Sequence, residues 1–128
     1  MRYLIVGGYA VAYHGYPRTT GDIDIWIERS RDNAQRVHRA LRDFGFNVPA
    51  LRAELFERLD QVIRMGYPPL RVEILTSIDG VVFGDCYPKR INGELGETPA
   101  VIIGLACLKA NKRASGRYKD LSDLEHLP

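Results

Sequence analysis

The alternation of apolar and polar positions along the chain predicts a mixed series of short strands and helices. Four runs are typical of strands because they are rich in β-branched residues or alternate in polarity. They are RYLIVG, DIDIWI, LRVEILT and PAVIIG. Apolar residues at helical spacing predict a helix over RDNAQRVHRALRDF, with Ser30 placed to cap it.

Four further helices are predicted: YAVAYHG, residues 53–64, LACLKANKR and a last turn or two over LSDLEHL. The Asp-Gly pair in IDGVVF indicates a hairpin or a tight reversal, and INGELGE is predicted to be a loop. This order of elements predicts an α+β fold in which helices flank one mixed β-sheet. We expect a single domain over residues 1–128.

Composition limits the class of protein. The chain has 128 residues, of which 45% are hydrophobic and 27% charged, which is typical of a globular domain. Its net charge of +2 excludes a broadly basic surface, so any polyanion site must come from local clustering. The chain has no apolar run of membrane-spanning length and no signal-peptide pattern at MRYLIVGG, which predicts a soluble, cytoplasmic protein. Cys86 and Cys107 lack a CxxC spacing and are predicted to be reduced thiols.

Asp22 and Asp24 lie one residue apart in an apolar run. Alternate side chains of a strand face the same way, so both carboxylates share a face opposite the isoleucines. Two such charges repel unless a cation lies between them, and oxygen ligands of this kind are typical of Mg²⁺ or Mn²⁺ sites. The alternative is an edge strand whose polar face meets water.

Glu73 repeats this pattern with one acid in LRVEIL. If that strand pairs beside DIDIWI, three carboxylates converge, enough to hold two metal ions ~4 Å apart, as phosphoryl-transfer enzymes do. Taken alone, Glu73 is more typical of a solvated residue on the polar face of a strand. Gly7 and Gly8 follow the first strand, where paired glycines allow close approach of the backbone to a ligand.

A basic segment, KANKRASGRYK, brings five cations around a Gly-containing turn. They suit a triphosphate or a nucleic-acid backbone, or else a solvated helix end that favours Lys and Arg. Arg18, four residues before Asp22, is placed for phosphates or for an ion pair with an acid. Asp120 is predicted to belong to the same site or to cap the last helix.

Together, VGGYAVAYHGYPRTTGDIDIWI, RVEIL and KANKRASGRYKDLSDLE resemble the polymerase-beta-like nucleotidyltransferase superfamily. Within it, the chain is most similar to small bacterial proteins related to the AbiEii and MNT groups of toxin–antitoxin and phage-defence systems. The resemblance covers nearly the whole chain and implies the nucleotidyltransferase fold. The combination of GG, an Arg before the acids, D-x-D and a later h-[DE]-h strand carries it. The chain departs at Gly8, where Ser is frequent, and at Glu73, where Asp is more frequent.

The resemblance implies a role for each of these residues. Asp22 and Asp24 would bind both metal ions, Mg²⁺ or Mn²⁺, while Glu73 would bind the catalytic one and help to activate the attacking hydroxyl. The residues implied to bind the nucleotide are Gly7, Gly8, Arg18, Lys112, Lys119 and Asp120, the last three matching a late Lys…Lys-Asp motif of AbiEii-like proteins.

The predicted function is transfer of a nucleoside monophosphate from an NTP to a hydroxyl of RNA, such as a tRNA 3′ end, or of a partner protein. A second copy of the chain, or a cognate toxin or antitoxin, is the expected protein partner. The alternative is a non-catalytic, NTP-binding, antitoxin-like protein. A D-x-D glycosyltransferase is disfavoured because it would need a larger α/β domain.

Overall fold

The computed structural model describes residues 1–18, 20–67 and 70–128. Six strands form one sheet: β1 Tyr3–Val6, β2 Asp22–Ile27, β3 Val62–Tyr67, β4 Leu70–Leu75, β5 Ile91–Leu95 and β6 Thr98–Ile102. The α-helices in the described part of the chain are α1 Gly7–Tyr13, α2 Arg31–Asp43, α3 Phe83–Cys86, α4 Leu105–Ser115 and α5 Tyr118–His126. Two short 3-10 helices, Ala53–Glu57 and Tyr87–Lys89, complete the described elements.

The sheet is mixed, and its strand order is β3-β4-β2-β1-β6-β5. β2 runs antiparallel to β1 and parallel to β4, while β3 and β5 form the two edges by antiparallel pairing. The expected pairing of LRVEIL beside DIDIWI is therefore found, and the predicted α+β class with a mixed sheet is confirmed.

Two buried clusters pack against the sheet. The smaller one contains Ile27, Val37, Phe56 and Ile74, so α2 and the first 3-10 helix cover the isoleucine face of β2 and β4. The larger one includes Trp26, whose ring meets Phe83 edge-on at 5.1 Å between centroids. Trp26 lies on the same face of β2 as Asp22 and Asp24. The larger cluster therefore covers this face at the Trp26 end of the strand, and the two aspartates lie toward the opposite end.

The predicted strands and α2 form where expected, because their apolar periodicity matches a face that is buried. The Ser30 hydroxyl accepts a hydrogen bond from the Asn33 N–H at 3.1 Å, as a cap of α2 should. The helix predicted from YAVAYHG begins earlier, at Gly7 itself. The helix predicted from LSDLEHL extends over Tyr118–His126.

The helix predicted over residues 53–64 is wrong. Only Ala53–Glu57 is helical, as a 3-10 helix, and β3 begins at Val62. Leu59 and Val62, which lie at helical spacing in the sequence, are exposed, whereas the alternate residues Ile63 and Met65 of β3 pack against the smaller cluster. Asp60 adopts a φ of 55°, a left-handed conformation that interrupts a helix.

The segment INGELGE is also not a loop, because Ile91–Leu95 forms β5 and pairs with β6. Gly93 lies in this strand where a side chain would meet the Tyr13 hydroxyl at 2.6 Å. Glycine is unfavourable inside a strand, but here the close approach of Tyr13 leaves no room for a side chain at position 93. The reversal expected at Asp79-Gly80 is present, but it leads into α3 rather than into a second strand of a hairpin.

Cys86 and Cys107 form a disulfide that joins α3 to α4, with their Cα atoms 6.0 Å apart. The prediction of two reduced thiols is therefore wrong. Their distance of 21 residues in sequence hid a pairing that only the packing of the two helices creates.

In the part of the chain that the structure describes, no helix is long and apolar enough to cross a membrane.

Candidate functional site

The three acids singled out in the sequence lie on one face of the sheet. Because β2 and β4 are parallel neighbours, Asp24 is directly beside Glu73 in the register, and Asp22 is beside Arg71. On the next strand, Arg64 is opposite Glu73. A row of charged residues, Arg64, Glu73 and Asp24, therefore crosses three strands, with Arg71 and Asp22 in the row beside it.

This face opens into a cavity of about 580 Å³. Its lining includes eight of the nine residues predicted to form the site: Gly7, Gly8, Asp22, Asp24, Glu73, Lys112, Lys119 and Asp120. Among the described residues, six acidic and four basic side chains line it. Residues far apart in sequence thus converge on one space with an excess of negative charge.

Asp22 is held by Arg71 in a two-pronged ion pair. The Arg71 Nε donates to Asp22 Oδ1 and its Nη2 to Oδ2, both at 2.8 Å. These hydrogen bonds lower the pKa of Asp22, so it is a stable carboxylate. Glu73 has a similar partner, since the Arg64 Nε donates to its Oε1 at 2.8 Å.

Asp24 has a different environment from Asp22, although only one residue separates them. Burial first, and then the neighbouring carboxyls of Glu73 and Asp22, raise the pKa of Asp24 to about 7. Its Oδ1 atom is buried and, among the described residues, has no hydrogen-bond partner. Asp24 is therefore a half-buried acid of the cavity whose charge is poorly compensated.

The two glycines bring the backbone close to these acids. Gly7 has a φ of +66°, and a Cβ atom at this position would lie 2.1 Å from Asp24 Oδ2. At Gly8 a Cβ would lie 2.8 Å from the side chain of Thr20. Both positions require glycine because the turn from β1 into α1 passes directly over β2 and the loop before it.

Lys112 and Asp120 line the cavity but belong to a buried network of charges. The Lys112 Nζ lies 3.0 Å from Asp120 Oδ1 and 3.0 Å from Asp123 Oδ2, and all three residues are at most 4% exposed. Arg117 Nε donates to Asp120 Oδ2 at 2.9 Å. Burial alone would raise the pKa of Asp120, but the hydrogen bonds from Arg117 and Lys112 outweigh it, and the pKa is lowered.

Arg18 does not line the cavity. Its Nε and Nη2 donate to the two carboxylate oxygens of Asp123 at 2.8 and 2.9 Å. Of the two interpretations left open by the sequence, the ion pair is the one found, with a buried acid rather than a surface one. The alternative prediction that Asp120 caps the last helix is wrong, because Arg117 occupies the N-cap position and Asp120 lies in the first turn of α5.

Lys119 is the exposed cation of the predicted Lys…Lys-Asp motif. It lines the cavity, and its charge adds to the lowering of the pKa of Asp22 and opposes the larger effects that raise the pKa of Asp24. The basic segment thus divides into Lys112, which is buried among acids, and Lys119, which faces the acids across open space.

Sequence reasoning missed Arg64, Arg71 and Asp123. Arg71 could have been found, because it is two residues before Glu73 and therefore shares its face of β4. Arg64 was hidden by the wrong prediction of a helix over its segment. Asp123 had no signal, since its partners Arg18 and Lys112 are distant in sequence.

The donor set of the cavity fits a hard divalent cation in its chemistry. Carboxylate oxygens are the ligands that Mg²⁺ and Mn²⁺ prefer, and the Asp24 Oδ1 atom is a buried acceptor without a donor among the described residues. In the described conformation, however, no group of three or more His, Cys, Asp or Glu side chains is arranged to hold a metal ion. Asp22 and Glu73 instead bond to Arg71 and Arg64.

No protein-family model matches the chain, and no curated protein sequence matches it either. The resemblance to nucleotidyltransferases therefore rests on the motifs of the chain itself.

Proposed function

We propose that the protein is a metal-dependent nucleotidyltransferase with the polymerase-beta-like fold, which moves a nucleoside monophosphate from an NTP to a hydroxyl of RNA or of a partner protein. One observation carries the proposal: Asp22, Asp24 and Glu73 converge with Gly7 and Gly8 in one cavity. Such a set of oxygen ligands beside a close-approach backbone suits an NTP with its metal ions.

In this function Asp22 and Asp24 would hold Mg²⁺ or Mn²⁺, and Glu73 would hold the catalytic ion and help to activate the acceptor hydroxyl. When bound, the metal ions neutralise the charge of the triphosphate and of the transferred phosphoryl group. Gly7 and Gly8 leave room for the phosphates against the backbone, and Lys119 contributes a cation from the opposite wall.

The charge of the cavity supports metal dependence. Six acidic side chains against four basic ones, with Arg71 paired to Asp22 at the edge, leave little positive charge to attract a triphosphate in the absence of added cations. Two of the basic side chains, Lys112 and Arg117, are already paired with Asp120. Nucleotide affinity should therefore fall sharply when divalent metal is removed.

The alternative function, a non-catalytic NTP-binding antitoxin-like protein, also has an observation in its favour. Asp22 and Glu73 are paired with arginines in the described conformation, which is a stable arrangement without any metal ion. The two functions differ in turnover, so the test must measure transfer as well as binding.

A cytoplasmic location stays a prediction, and the Cys86–Cys107 disulfide is a bond that reducing compartments disfavour.

The test uses the purified protein with each of four labelled NTPs, Mg²⁺, and the RNA and protein of a cell lysate. We expect label to enter RNA or protein with at least one NTP, and to be lost in EDTA. The double substitution Asp22→Asn with Asp24→Asn removes the charges at almost constant volume and should lower transfer by about 100-fold or more.

A matched control is Asp43→Asn with Asp85→Asn, which removes two acids from exposed positions outside the cavity. This control should keep full transfer. Metal-dependent NTP binding by calorimetry without transfer from any NTP would favour the non-catalytic alternative. Transfer that survives loss of both Asp22 and Asp24 charges would overturn the proposed enzyme.

A further inference from the structure

We propose that Arg71 is an exchangeable partner of Asp22: it occupies the carboxylate when no metal ion is bound, and moves to the phosphates of the nucleotide when the metal takes Asp22. This inference rests on the proposed function and deepens it, because it names a nucleotide-binding residue and the event that makes it available.

The geometry of the pair carries the inference. Arg71 donates to both oxygens of Asp22 at 2.8 Å, so one guanidinium holds both ends of the carboxylate. The two residues are register neighbours on β2 and β4, which places the guanidinium at the edge of the cavity that Asp22 lines. Guanidinium matches phosphate as well as it matches carboxylate, since both accept two parallel N–H bonds.

Arg71 fills one acceptor position on each oxygen of Asp22 and neutralises its charge, so a metal ion would have to compete with Arg71 for this ligand. The pair is also solvent-accessible, with side-chain exposures of 37% for Arg71 and 26% for Asp22. An ion pair that water reaches is held weakly enough to be exchanged, in contrast to the buried pair of Lys112 and Asp120. Arg71 therefore competes with the metal before binding and becomes a free cation afterwards.

A freed Arg71 has an obvious next partner within the proposed function. It would stand at the edge of a cavity that then contains metal ions and needs further positive charge for a triphosphate. The same side chain should thus oppose metal binding and favour nucleotide binding. A purely structural ion pair would do neither.

The first measurement is Mn²⁺ binding without nucleotide, followed by electron paramagnetic resonance. Arg71→Gln removes the competing charge and should tighten Mn²⁺ binding by roughly tenfold, because a two-pronged charged pair no longer has to be broken. Arg71→Lys keeps a cation but not the two-pronged geometry, and should give an intermediate affinity. Arg2→Gln is the matched control, since Arg2 pairs with Glu28 outside the cavity, and it should leave Mn²⁺ affinity unchanged.

The second measurement is NTP binding at saturating Mn²⁺, where Arg71→Gln should weaken affinity by roughly tenfold while Arg2→Gln has no effect. Opposite signs in the two measurements support the exchange. Unchanged Mn²⁺ affinity in a folded Arg71→Gln protein overturns it while leaving the proposed function standing. Unchanged NTP affinity overturns the transfer to phosphate. If neither the wild type nor the Arg71→Gln protein binds Mn²⁺, the inference is overturned together with the proposed function.

Discussion

Asp22 and Asp24 show how two identical residues on one strand face acquire different chemistry. Arg71 pairs with Asp22 and lowers its pKa, whereas burial and two neighbouring carboxyls raise the pKa of Asp24 to about 7. Near pH 6, Asp22 is ionised and Asp24 carries a proton. Metal binding to the pair should therefore release a proton and become stronger as the pH rises.

The raised pKa of Asp24 predicts a pH-dependent effect of Asp24→Asn on the stability of the metal-free protein. In the folded state Asp24 holds its proton up to about pH 7, whereas in the unfolded chain it loses the proton near the ordinary aspartate pKa of 3.8. The contribution of Asp24 to stability therefore falls as the pH rises between these values, whereas the neutral asparagine has no such pH dependence. The difference in melting temperature, variant minus wild type, should increase from pH 4 to pH 7.5 and then level off.

Thermal melts in EDTA across this pH range measure the difference directly. Asp43→Asn, at an exposed position of α2, is the control and should follow the wild type. A constant difference between Asp24→Asn and wild type over the whole range would contradict the raised pKa.

At the scale of elements, the junction of β1 and α1 shapes the cavity. The chain turns from strand to helix at Gly7 with a positive φ, and the turn lies directly over Asp24. No side chain fits between the two, so the backbone forms one wall of the site. A residue with a Cβ would have to move the carboxyl, the turn, or both.

Gly7→Ala is predicted to lower the free energy of unfolding by about 3 kcal/mol, from the left-handed backbone and the close contact with Asp24 combined. Gly21→Ala is the matched control. A Cβ atom there would meet no atom within 4 Å, and its backbone has no positive φ, so little change is expected. Urea denaturation measures both. Equal stabilities of the two variants would mean that the turn over Asp24 can relax.

At the scale of the whole molecule, buried charges join parts that the sheet does not connect. Arg18 comes from the segment after α1, Lys112 from α4, and Asp120 and Asp123 from α5. Every charge of this network has an opposite partner within 3.0 Å. Such a network makes the positions of α4 and α5 depend on each other, and with them the wall of the cavity.

Removing the central cation should therefore destabilise the protein. Lys112→Met leaves two buried carboxylates with one partner fewer each, and we expect a loss of about 3–5 kcal/mol in the free energy of unfolding. Arg113→Met changes the next, exposed residue of α4 and should cost little. Chemical denaturation gives both values. A Lys112→Met protein as stable as wild type would show that the network is not needed for folding.

Lys119→Met completes this comparison, because Lys119 is exposed and lines the cavity. It should leave stability unchanged and weaken NTP binding, whereas Lys112→Met acts first on stability. The two lysines of one sequence motif would then be separated by the readout that each one changes.

Much of the fold could be predicted from local pattern. The strands β1, β2, β4 and β6 and the helices α2 and α4 form where apolar periodicity places them, because a buried face imposes its spacing on the sequence. β3 and β5 were not predicted, because no extensively buried face imposes a regular apolar spacing on them. As edge strands they bury little, so exposed Leu59 and Val62 and the glycine in INGEL gave a misleading pattern.

The alternation of DIDIWI and LRVEIL by itself determined that Asp22, Asp24 and Glu73 face away from the isoleucines, because side-chain direction in a strand is a local property. Only the tertiary structure decided what each charged group meets. Strand register placed Arg71 on Asp22 and Glu73 beside Asp24, and helix packing enclosed Lys112 between Asp120 and Asp123 and joined Cys86 to Cys107. Charge partners and pKa values follow from distances through space, and no spacing along the chain encodes those distances.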